Sequence, residues 1–244
     1  NIKQINKDIR YINERDLEGF DSIIHLAALS NDPLGELSPS ITKIINFQST
    51  LNLAILAKKC KIKRFVYASS QSMYGKSQTS ELLNEDAPKN PLTVYAKTKW
   101  NAEIELKKLN NNNFTVVCFR PSTVFGSSPR LRCDIVFNNL VACAHTTGKI
   151  EILSDGSPWR PVVHVKDVCQ AFIAGLEAPA ELVGGKAFNV GIPKGNFTVR
   201  DLAKAAQRAY PSSAEYSLAC VDGVNVTGTS HAHYLDEHLS GFFI

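Results

Sequence analysis

Arg64-Phe-Val-Tyr-Ala-Ser-Ser70 is a mainly apolar run that ends in two hydroxyls, and it decides the fold. Its length and its β-favouring side chains predict a buried strand. Further along, Tyr95 and Lys99 stand four residues apart near the start of an amphipathic run over 93–109. Residues with this spacing share one face of a helix. The lysine can therefore favour ionisation of the Tyr95 phenol, which makes Tyr95 a candidate acid/base.

Strand-like and helical patterns alternate along the chain. The strand-like runs lie at 21–28, 64–70, 114–119, 150–153, 162–165 and 187–190, and the helical runs lie at 41–61, 93–109, 135–145 and 167–176. Thr198-Val-Arg-Asp201 predicts a capping box that opens one more helix. Strands separated by helices imply crossover connections and a parallel sheet. A hydroxyl at the carboxyl end of such a strand lies where open α/β sheets bind ligands.

Composition narrows the class of protein. The chain has 244 residues, 44% of them hydrophobic, and a scattered net charge of +4, which does not favour nucleic acid but is compatible with a small anionic ligand. Its six cysteines show no metal-ligand spacing and predict reduced thiols in a cytoplasmic protein. No apolar run is long enough to span a membrane, so we expect no membrane partner. His231, His233 and His238 indicate a free tail rather than a metal site.

The motifs together resemble one family. Ser69-Ser70, the Tyr74-Gly75 turn and Tyr95-x-x-x-Lys99 are similar to motifs of the extended short-chain dehydrogenase/reductases, in particular the NAD-dependent nucleotide-sugar epimerases and dehydratases. The resemblance extends from about Asp8 to about Tyr210 and implies a catalytic triad of Ser70, Tyr95 and Lys99.

The resemblance also implies the architecture. The expected fold is α/β, a doubly wound parallel sheet of Rossmann type with a smaller C-terminal substrate-binding lobe. Residues 1–126 would form an incomplete dinucleotide-binding domain. Residues 127–244 would form the substrate-binding lobe, interleaved over about 161–190 with the last elements of the first domain.

The glycine-rich turn that meets a dinucleotide's pyrophosphate is not found near the start of this sequence. Asn1 to Arg10 instead resembles a later family segment that ends Asp-Ile-Arg. We therefore expect the first strand, the glycine loop, the first helix and the second strand to be absent. The chain is then a fragment of a longer enzyme or a truncated product, and the intact triad favours the fragment. NAD is the expected cofactor, and NADP remains open because the segment that distinguishes them is missing.

Cofactor contacts follow from the resemblance. Asp8 matches the residue that contacts adenine, His25-Leu-Ala-Ala28 the small residues against ribose and phosphates, and Asn46 an asparagine that orders the site. Ser49 replaces the glycine of that last motif. The full set implied is Asp8, Ile9, Leu26, Ala27, Ala28, Asn46, Ala68, Tyr95, Lys99, Pro121 and Ser122.

Substrate contacts follow in the same way. Arg160 matches the arginine that grips the substrate diphosphate, a role that suits a guanidinium's bidentate donors. Thr123 stands where many members have asparagine. Arg130 and Arg132 either add positive charge to the same pocket or belong to a solvated loop. The full set implied is Ser70, Thr123, Arg130, Asn138, Asn139 and Arg160.

The residues after Ser70 indicate the reaction. Dehydratases of this family carry Asp-Glu there, because eliminating water needs an acid and a base, whereas this chain has Gln71 and Ser72. The resemblance thus implies epimerisation of a nucleotide-diphosphate sugar, at C4, through a transient keto-sugar. Tyr95 would take the hydroxyl proton while hydride passes to NAD, and Lys99 would lower the pKa of Tyr95 and hold the ribose.

Other interpretations stay open at this stage. A nucleotide-sugar ketoreductase would use the same triad with net consumption of NADPH, and a non-catalytic truncated relative would bind without turnover. The resemblance further implies a homodimer through the helices at 41–61 and 93–109, with Trp100 as an anchor.

Overall fold

A computed structural model describes residues 4–30, 32–75, 82–210 and 216–218. The strands are β1 (Ser22–His25), β2 (Arg64–Ala68), β3 (Thr115–Pro121), β4 (Thr123–Phe125), β5 (Ile150–Ile152), β6 (Trp159–His164), β7 (Ala187–Val190), β8 (Asn196–Thr198) and β9 (Tyr216–Leu218). The α-helices are α1 (Asp32–Leu37), α2 (Pro39–Lys43), α3 (Thr50–Lys59), α4 (Val94–Leu109), α5 (Val136–Thr147), α6 (Val165–Glu177), α7 (Ala180–Val183) and α8 (Val199–Ala209). Tighter 3₁₀ turns lie at Ile9–Tyr11, Glu14–Leu17 and Gln71–Tyr74, and a wider π turn at Ile44–Ser49.

The largest sheet is parallel throughout, in the order β1-β2-β3-β7. Helices α1 to α3 connect β1 to β2, and α4 connects β2 to β3, so each parallel neighbour is reached by a helical crossover. β7, which comes from the second half of the chain, pairs with β3 and forms the edge strand of this sheet. The predicted α/β class with a parallel sheet is confirmed.

Side chains of the central strands alternate between two apolar layers, as the period of two in a strand requires. Phe65 and Tyr67 pack with Ala54 of α3 and Leu106 of α4 on one face. Val66 points to the other face, where α6 contributes Ala171 and Phe172. Helices thus cover both faces of the sheet, which explains why its strands are apolar on both sides.

The rest of the described chain forms smaller units around a third apolar cluster. β4 pairs with β6 in parallel and β6 with β8 antiparallel, and β5 pairs with β9. α5 and α8 pack together through Leu140, Ala144, Leu202 and Ala206. The Thr198–Asp201 capping box at the start of α8 is present as predicted. The division into residues 1–126 and 127–244 stays a prediction.

The structure differs from two of the expected elements. The strand predicted over 21–28 ends at His25, so the residues that follow form its outgoing loop. The helix predicted over 41–61 is broken by the π turn, within which the Ser49 hydroxyl bonds to the carbonyl oxygen of Ile44 at 2.9 Å. Trp100 is half-buried against Met73 and Tyr74, and its role as a dimer anchor stays a prediction.

Candidate active site

The carboxyl ends of β2 and β3 meet at one edge of the first sheet. β2 ends at Ala68 and continues into Ser69 and Ser70, and β3 ends at Pro121, followed by Ser122. Because the two strands are parallel, with Ala68 of β2 opposite Phe119 of β3, these hydroxyls lie at the same edge. This is the edge at which open parallel sheets bind ligands.

Helix α4 brings Tyr95 and Lys99 to that edge. The Thr93 hydroxyl caps the helix by accepting a hydrogen bond from the N–H of Ala96 at 3.1 Å, and it donates one to the Asp32 carboxylate at 2.7 Å. The cap therefore fixes the start of the helix at Val94, one residue before Tyr95. As predicted, the two side chains share a face, with Lys99 Nζ 5.9 Å from the centroid of the Tyr95 ring.

Ser70 lies beside Tyr95, and its hydroxyl lowers the pKa of the Tyr95 phenol. Ser70 Oγ also accepts hydrogen bonds from the backbone N–H of Ser72 at 3.2 Å and from its hydroxyl at 2.9 Å. A hydroxyl that accepts two hydrogen bonds is left with its own proton to donate. The Ser70 hydrogen bond favours the ionised phenol of Tyr95, which is what a donated proton does. The hydrogen bonds of Ser72 to Ser70 could not be predicted from the sequence, because they depend on the turn at Gln71–Tyr74.

The electrostatics correct one prediction. Burial raises the pKa of the Tyr95 phenol above its usual value, and the Ser70 hydrogen bond and the charge of Arg132 oppose that rise. Lys99 Nζ is buried, donates to the carbonyl oxygen of Ala68 at 2.8 Å, and has its pKa lowered by burial to about 7. The expected lowering of the Tyr95 pKa by Lys99 is therefore wrong here, because the buried amine holds its own proton weakly near neutral pH.

Arg132 belongs to the site, whereas the sequence alone left its place open between the pocket and a solvated loop. Its guanidinium forms a two-pronged ion pair with Asp134, at 2.6 and 3.0 Å. The same group donates to the carbonyl oxygen of Ser30, a residue 102 positions away, at 3.3 Å. Arg132 thus links the loop after β4 to the segment after β1 and brings a positive charge within electrostatic reach of Tyr95. Only the fold makes this contact visible.

The predicted cofactor residues after β1 and β3 lie at the same sheet edge. Leu26, Ala27 and Ala28 follow β1 directly, Pro121 ends β3, and Ser122 follows it. The hydroxyl of Ser122 is buried and has no hydrogen-bond partner among the residues that the structure describes. Ala68 is the last residue of β2, and its carbonyl oxygen accepts the hydrogen bond from Lys99.

Asn46 lies in the π turn and orders the loop after β1. Its side-chain oxygen accepts from the N–H of Leu29 at 2.8 Å, and its NH₂ donates to the carbonyl oxygen of Leu29 at 3.0 Å. The NH₂ also approaches the Thr98 hydroxyl on α4 at 3.4 Å. These contacts hold the β1 loop against the helix that carries Tyr95.

Asp8 and Ile9 lie at the 3₁₀ turn near the start of the described chain. Both carboxylate oxygens of Asp8 bond to the Arg10 guanidinium, at 2.7 and 3.0 Å, and these bonds lower the pKa of Asp8 to about 2. Ile9 packs against the first apolar cluster. Their predicted contact with the cofactor stays a prediction.

The predicted substrate residues fall into two groups. Thr123 in β4 pairs with Val162 of β6, which places it in the same small sheet as Arg160. Arg160 is half-buried, burial lowers its pKa, and it donates to the carbonyl oxygen of Trp159 at 2.9 Å. Within the described chain no carboxylate forms an ion pair with Arg160.

The loop over 126–135 and the first turn of α5 hold the other substrate candidates. Asn138 Oδ1 accepts from the N–H of Gly126 at 3.2 Å, and its NH₂ donates to the carbonyl oxygen of Arg132 at 2.9 Å. Asn139 donates to the carbonyl oxygen of Cys133 at 3.1 Å, and Arg130 is exposed. The two asparagine amides therefore shape this loop, and their contact with substrate stays a prediction.

Gln71 is an anomaly beside Ser70. Its side chain is buried, yet neither atom of its amide has a hydrogen-bond partner among the described residues.

No group of three or more His, Cys, Asp or Glu residues in the described ranges could hold a metal ion. The tail histidines His231, His233 and His238 lie outside the described residues. No described helix combines the length and hydropathy needed to cross a bilayer.

Comparison with known proteins identifies a matching family and several relatives of this chain. Residues 8–191 match the NAD dependent epimerase/dehydratase family. A UDP-glucose 4-epimerase of Bacillus subtilis is 28% identical over 218 residues, which is 82% of this chain and 63% of that enzyme. The human dTDP-D-glucose 4,6-dehydratase is 27% identical over 71% of this chain and 48% of its own length. The chain thus spans about half to two thirds of these two relatives.

Solved structures agree on the fold. A UDP-glucuronic acid 4-epimerase from Bacillus cereus, solved with UDP-glucuronic acid and NAD, has a TM-score of 0.76 at 25% identity, covering 88% of this chain and 67% of that one. MoeE5 with UDP-glucuronic acid and NAD has a TM-score of 0.84 at 22% identity, covering 98% of this chain and 78% of that one. At 22% identity, the similarity to MoeE5 supports only the fold, which is the Rossmann type expected from the sequence.

Proposed function

Because the chain belongs to the NAD dependent epimerase/dehydratase family, we propose that it carries the catalytic site of an NAD-dependent nucleotide-sugar 4-epimerase. The observation that carries the proposal is the juxtaposition of Ser70, Tyr95 and the buried amine of Lys99 at the carboxyl edge of a parallel sheet. The curated relatives support the general kind of reaction, since they include both 4-epimerases and dehydratases.

The chain's own residues would manage the proton in this reaction. The Tyr95 oxygen would take the proton of the sugar C4 hydroxyl and later return it, and Ser70 would donate a hydrogen bond to the same sugar oxygen. Ser72 holds Ser70 through two hydrogen bonds and so directs its proton. NAD, when bound, supplies a hydride acceptor and donor at C4. Lys99 would donate a hydrogen bond to the cofactor ribose once NAD is bound.

The residues at the sheet edge fit a dinucleotide. Ala27 and Ala28 are small enough to let phosphates approach the backbone after β1, as such sites require. The buried, unpartnered Ser122 hydroxyl offers a hydrogen bond to a group placed at the end of β3. Asn46 holds the β1 loop on helix α4. NAD is the cofactor of this family, and we propose these residues as its contacts.

The substrate diphosphate would bind at Arg160. A half-buried guanidinium without a carboxylate partner in the described chain is suited to a ligand that brings its own negative charge. Thr123 in the same small sheet would then face the sugar. Arg130 in the loop over 126–135, and Asn138 and Asn139 at the start of α5, are proposed as further contacts.

Two residues argue for epimerisation over elimination. Gln71 and Ser72 stand where the resembling dehydratases carry an acid and a base, and neither an amide nor an aliphatic hydroxyl ionises near neutral pH. Ser72 is moreover engaged with Ser70. A nucleotide-sugar ketoreductase would also use Ser70, Tyr95 and Lys99. It is the alternative enzyme, and the products of the reaction distinguish it from an epimerase.

We also propose a homodimer in the cytoplasm. Ile41 and Ile55 on the helical run from α2 to α3 are 45% and 54% exposed, which suits a second copy of the chain. The five cysteines in the described residues are free thiols, in accord with a reducing compartment.

The test is incubation of the protein with NAD and a panel of UDP- and dTDP-sugars in D₂O, followed by ¹H NMR. Epimerisation returns the original hydrogen to C4 and predicts the 4-epimer without deuterium. Elimination would give a 4-keto-6-deoxy sugar with deuterium at C5. A ketoreductase would turn over only with a reduced cofactor and a keto-sugar. Absence of the 4-epimer from every sugar in the panel would contradict the proposed function.

A further inference from the structure

Three successive residues at the end of β2 each contact helix α4. The carbonyl oxygen of Ala68 accepts a hydrogen bond from Lys99, and Ser70 lies beside Tyr95, whose pKa it lowers. Between them, the buried hydroxyl of Ser69 donates to a helix residue four positions beyond Lys99, at 2.7 Å. Residues spaced by four share one face of a helix, so strand and helix are joined contact by contact along that face.

That third helix residue is Glu103, and it is held firmly. Its carboxylate accepts from Arg120 at 2.6 Å through one oxygen and 3.1 Å through the other, and Lys107 lies at 3.0 Å. Burial raises the pKa of Glu103, but the Arg120 hydrogen bonds and charge outweigh it, so the pKa lies below its ordinary value. Glu103 is therefore a fixed, ionised acceptor to which Ser69 is tied.

We propose that Ser69 and Glu103 are positioning residues for proton transfer at the Ser70–Tyr95 pair. The hydrogen bond between them sets how far the strand end that carries Ser70 lies from the helix that carries Tyr95. Ser69 has little other freedom, because its N–H also donates to the carbonyl oxygen of Phe119 at 2.7 Å. The inference rests on the proposed function in giving that pair a catalytic role.

A purely structural role is the competing explanation. The same network reaches the Tyr74 hydroxyl, which bonds to Arg120 at 2.7 Å and to Asn189 at 2.8 Å, so it also ties β2, β3 and β7 together. A structural role would change the stability of the protein and leave the Ser70–Tyr95 pair in place. The proposed role changes the pair itself.

Ser69→Ala separates these explanations with little risk to folding. It removes one hydroxyl and leaves Glu103 paired with Arg120 and Lys107. Ser49→Ala is the matched control, because it also removes a buried hydroxyl with one hydrogen bond, to Ile44, at 2.9 Å. We expect Ser69→Ala to lower kcat about tenfold with an unchanged KM for the nucleotide sugar, since misplacement affects the transition state more than binding. Ser49→Ala should keep the kcat of the unsubstituted protein.

A readout independent of turnover is the NMR signal of Tyr95 in protein labelled with [ζ-¹³C]tyrosine, assigned by its loss in Tyr95→Phe. Weaker donation from Ser70 should move the Tyr95 titration to higher pH in Ser69→Ala and leave it in place in Ser49→Ala. Identical Tyr95 titrations in the unsubstituted protein and Ser69→Ala would overturn the proposal. If the unsubstituted protein turned over no nucleotide sugar, the proposed function would fail, and the Tyr95 signal would still decide the role of Ser69.

Discussion

Lys99 donates a hydrogen bond from its Nζ to the carbonyl oxygen of Ala68 at 2.8 Å, across the boundary between helix α4 and the end of β2. The lysine side chain is buried, and burial lowers its pKa to about 7. The amine is therefore partly neutral at neutral pH, which leaves it able to exchange the Ala68 contact for a ligand hydroxyl.

The first prediction concerns stability without cofactor. The unfolded chain keeps the Lys99 proton up to about pH 10.5, whereas the folded chain loses it near pH 7, so Lys99 lowers stability fully below pH 7 and progressively less as the pH rises. Lys99→Met should therefore raise the free energy of unfolding at pH 6 by several kcal/mol more than at pH 9, as urea denaturation would show. Lys97→Met, exposed on the same helix, is the control and should follow the unsubstituted protein. Parallel curves for all three proteins would exclude a buried, poorly charged Lys99.

The second prediction is that Tyr95→Phe abolishes epimerisation and preserves the fold. The phenyl ring keeps the packing and loses only the oxygen that exchanges the proton. We expect kcat to fall by more than about 100-fold, as for removal of a general acid/base, with NMR or circular dichroism unchanged. Tyr11→Phe, at a side chain 66% exposed, should keep full activity. A Tyr95→Phe rate within about tenfold, or roughly 1.4 kcal/mol of transition-state stabilisation, would remove Tyr95 from the mechanism.

The elements that could be predicted from sequence are those that local periodicity controls. The apolar runs of β2 and β3 and the spacing of Tyr95 and Lys99 require only the strand and helix periods, and the structure places them as expected. The π turn at Ile44–Ser49 was missed, because it depends on side-chain hydrogen bonds to particular carbonyls rather than on periodicity.

Contacts between distant parts of the chain could not be predicted in the same way. Arg132 reaches Ser30 across 102 positions, and Glu103 meets Arg120 only after α4 packs on β3. The pKa of Tyr95 was predicted in the wrong direction, since one helix face shows a neighbouring lysine but not how deeply both side chains are buried.

The third prediction concerns Arg132. Its positive charge favours the ionised form of Tyr95, so removing it should raise the pKa of that phenol further. Arg132→Ala should shift the pH profile of kcat/KM to higher pH and lower activity at pH 7 by about 3- to 10-fold, the size expected for losing one partly solvated charge. Arg132→Lys keeps the charge and should keep the position of the profile. An alanine variant with an unshifted profile would show that Arg132 has no electrostatic role at Tyr95.

The fourth prediction concerns association. Ile55 is 54% exposed on α3, on the helical run that we propose for the dimer, so Ile55→Glu should convert a dimer into a monomer in sedimentation velocity at micromolar concentration. Ile173→Glu on α6, at a side chain 42% exposed, is the control and should leave the dimer intact. An unsubstituted protein that sediments as a monomer would contradict the proposed homodimer.

The last prediction concerns Arg160. If its guanidinium binds the substrate diphosphate, Arg160→Ala should raise the KM for the nucleotide sugar with little effect on NAD binding, because its charge-assisted bonds go to the substrate. A loss of roughly 2 to 5 kcal/mol is expected for deleting one partner of a desolvated charge pair. Arg160→Lys should recover only part of this, since an ammonium lacks the bidentate fork. Arg208→Ala, exposed on α8, removes an equal charge from the same half of the chain and should leave KM unchanged. Equal KM values in Arg160→Ala and the unsubstituted enzyme would show that the diphosphate binds elsewhere.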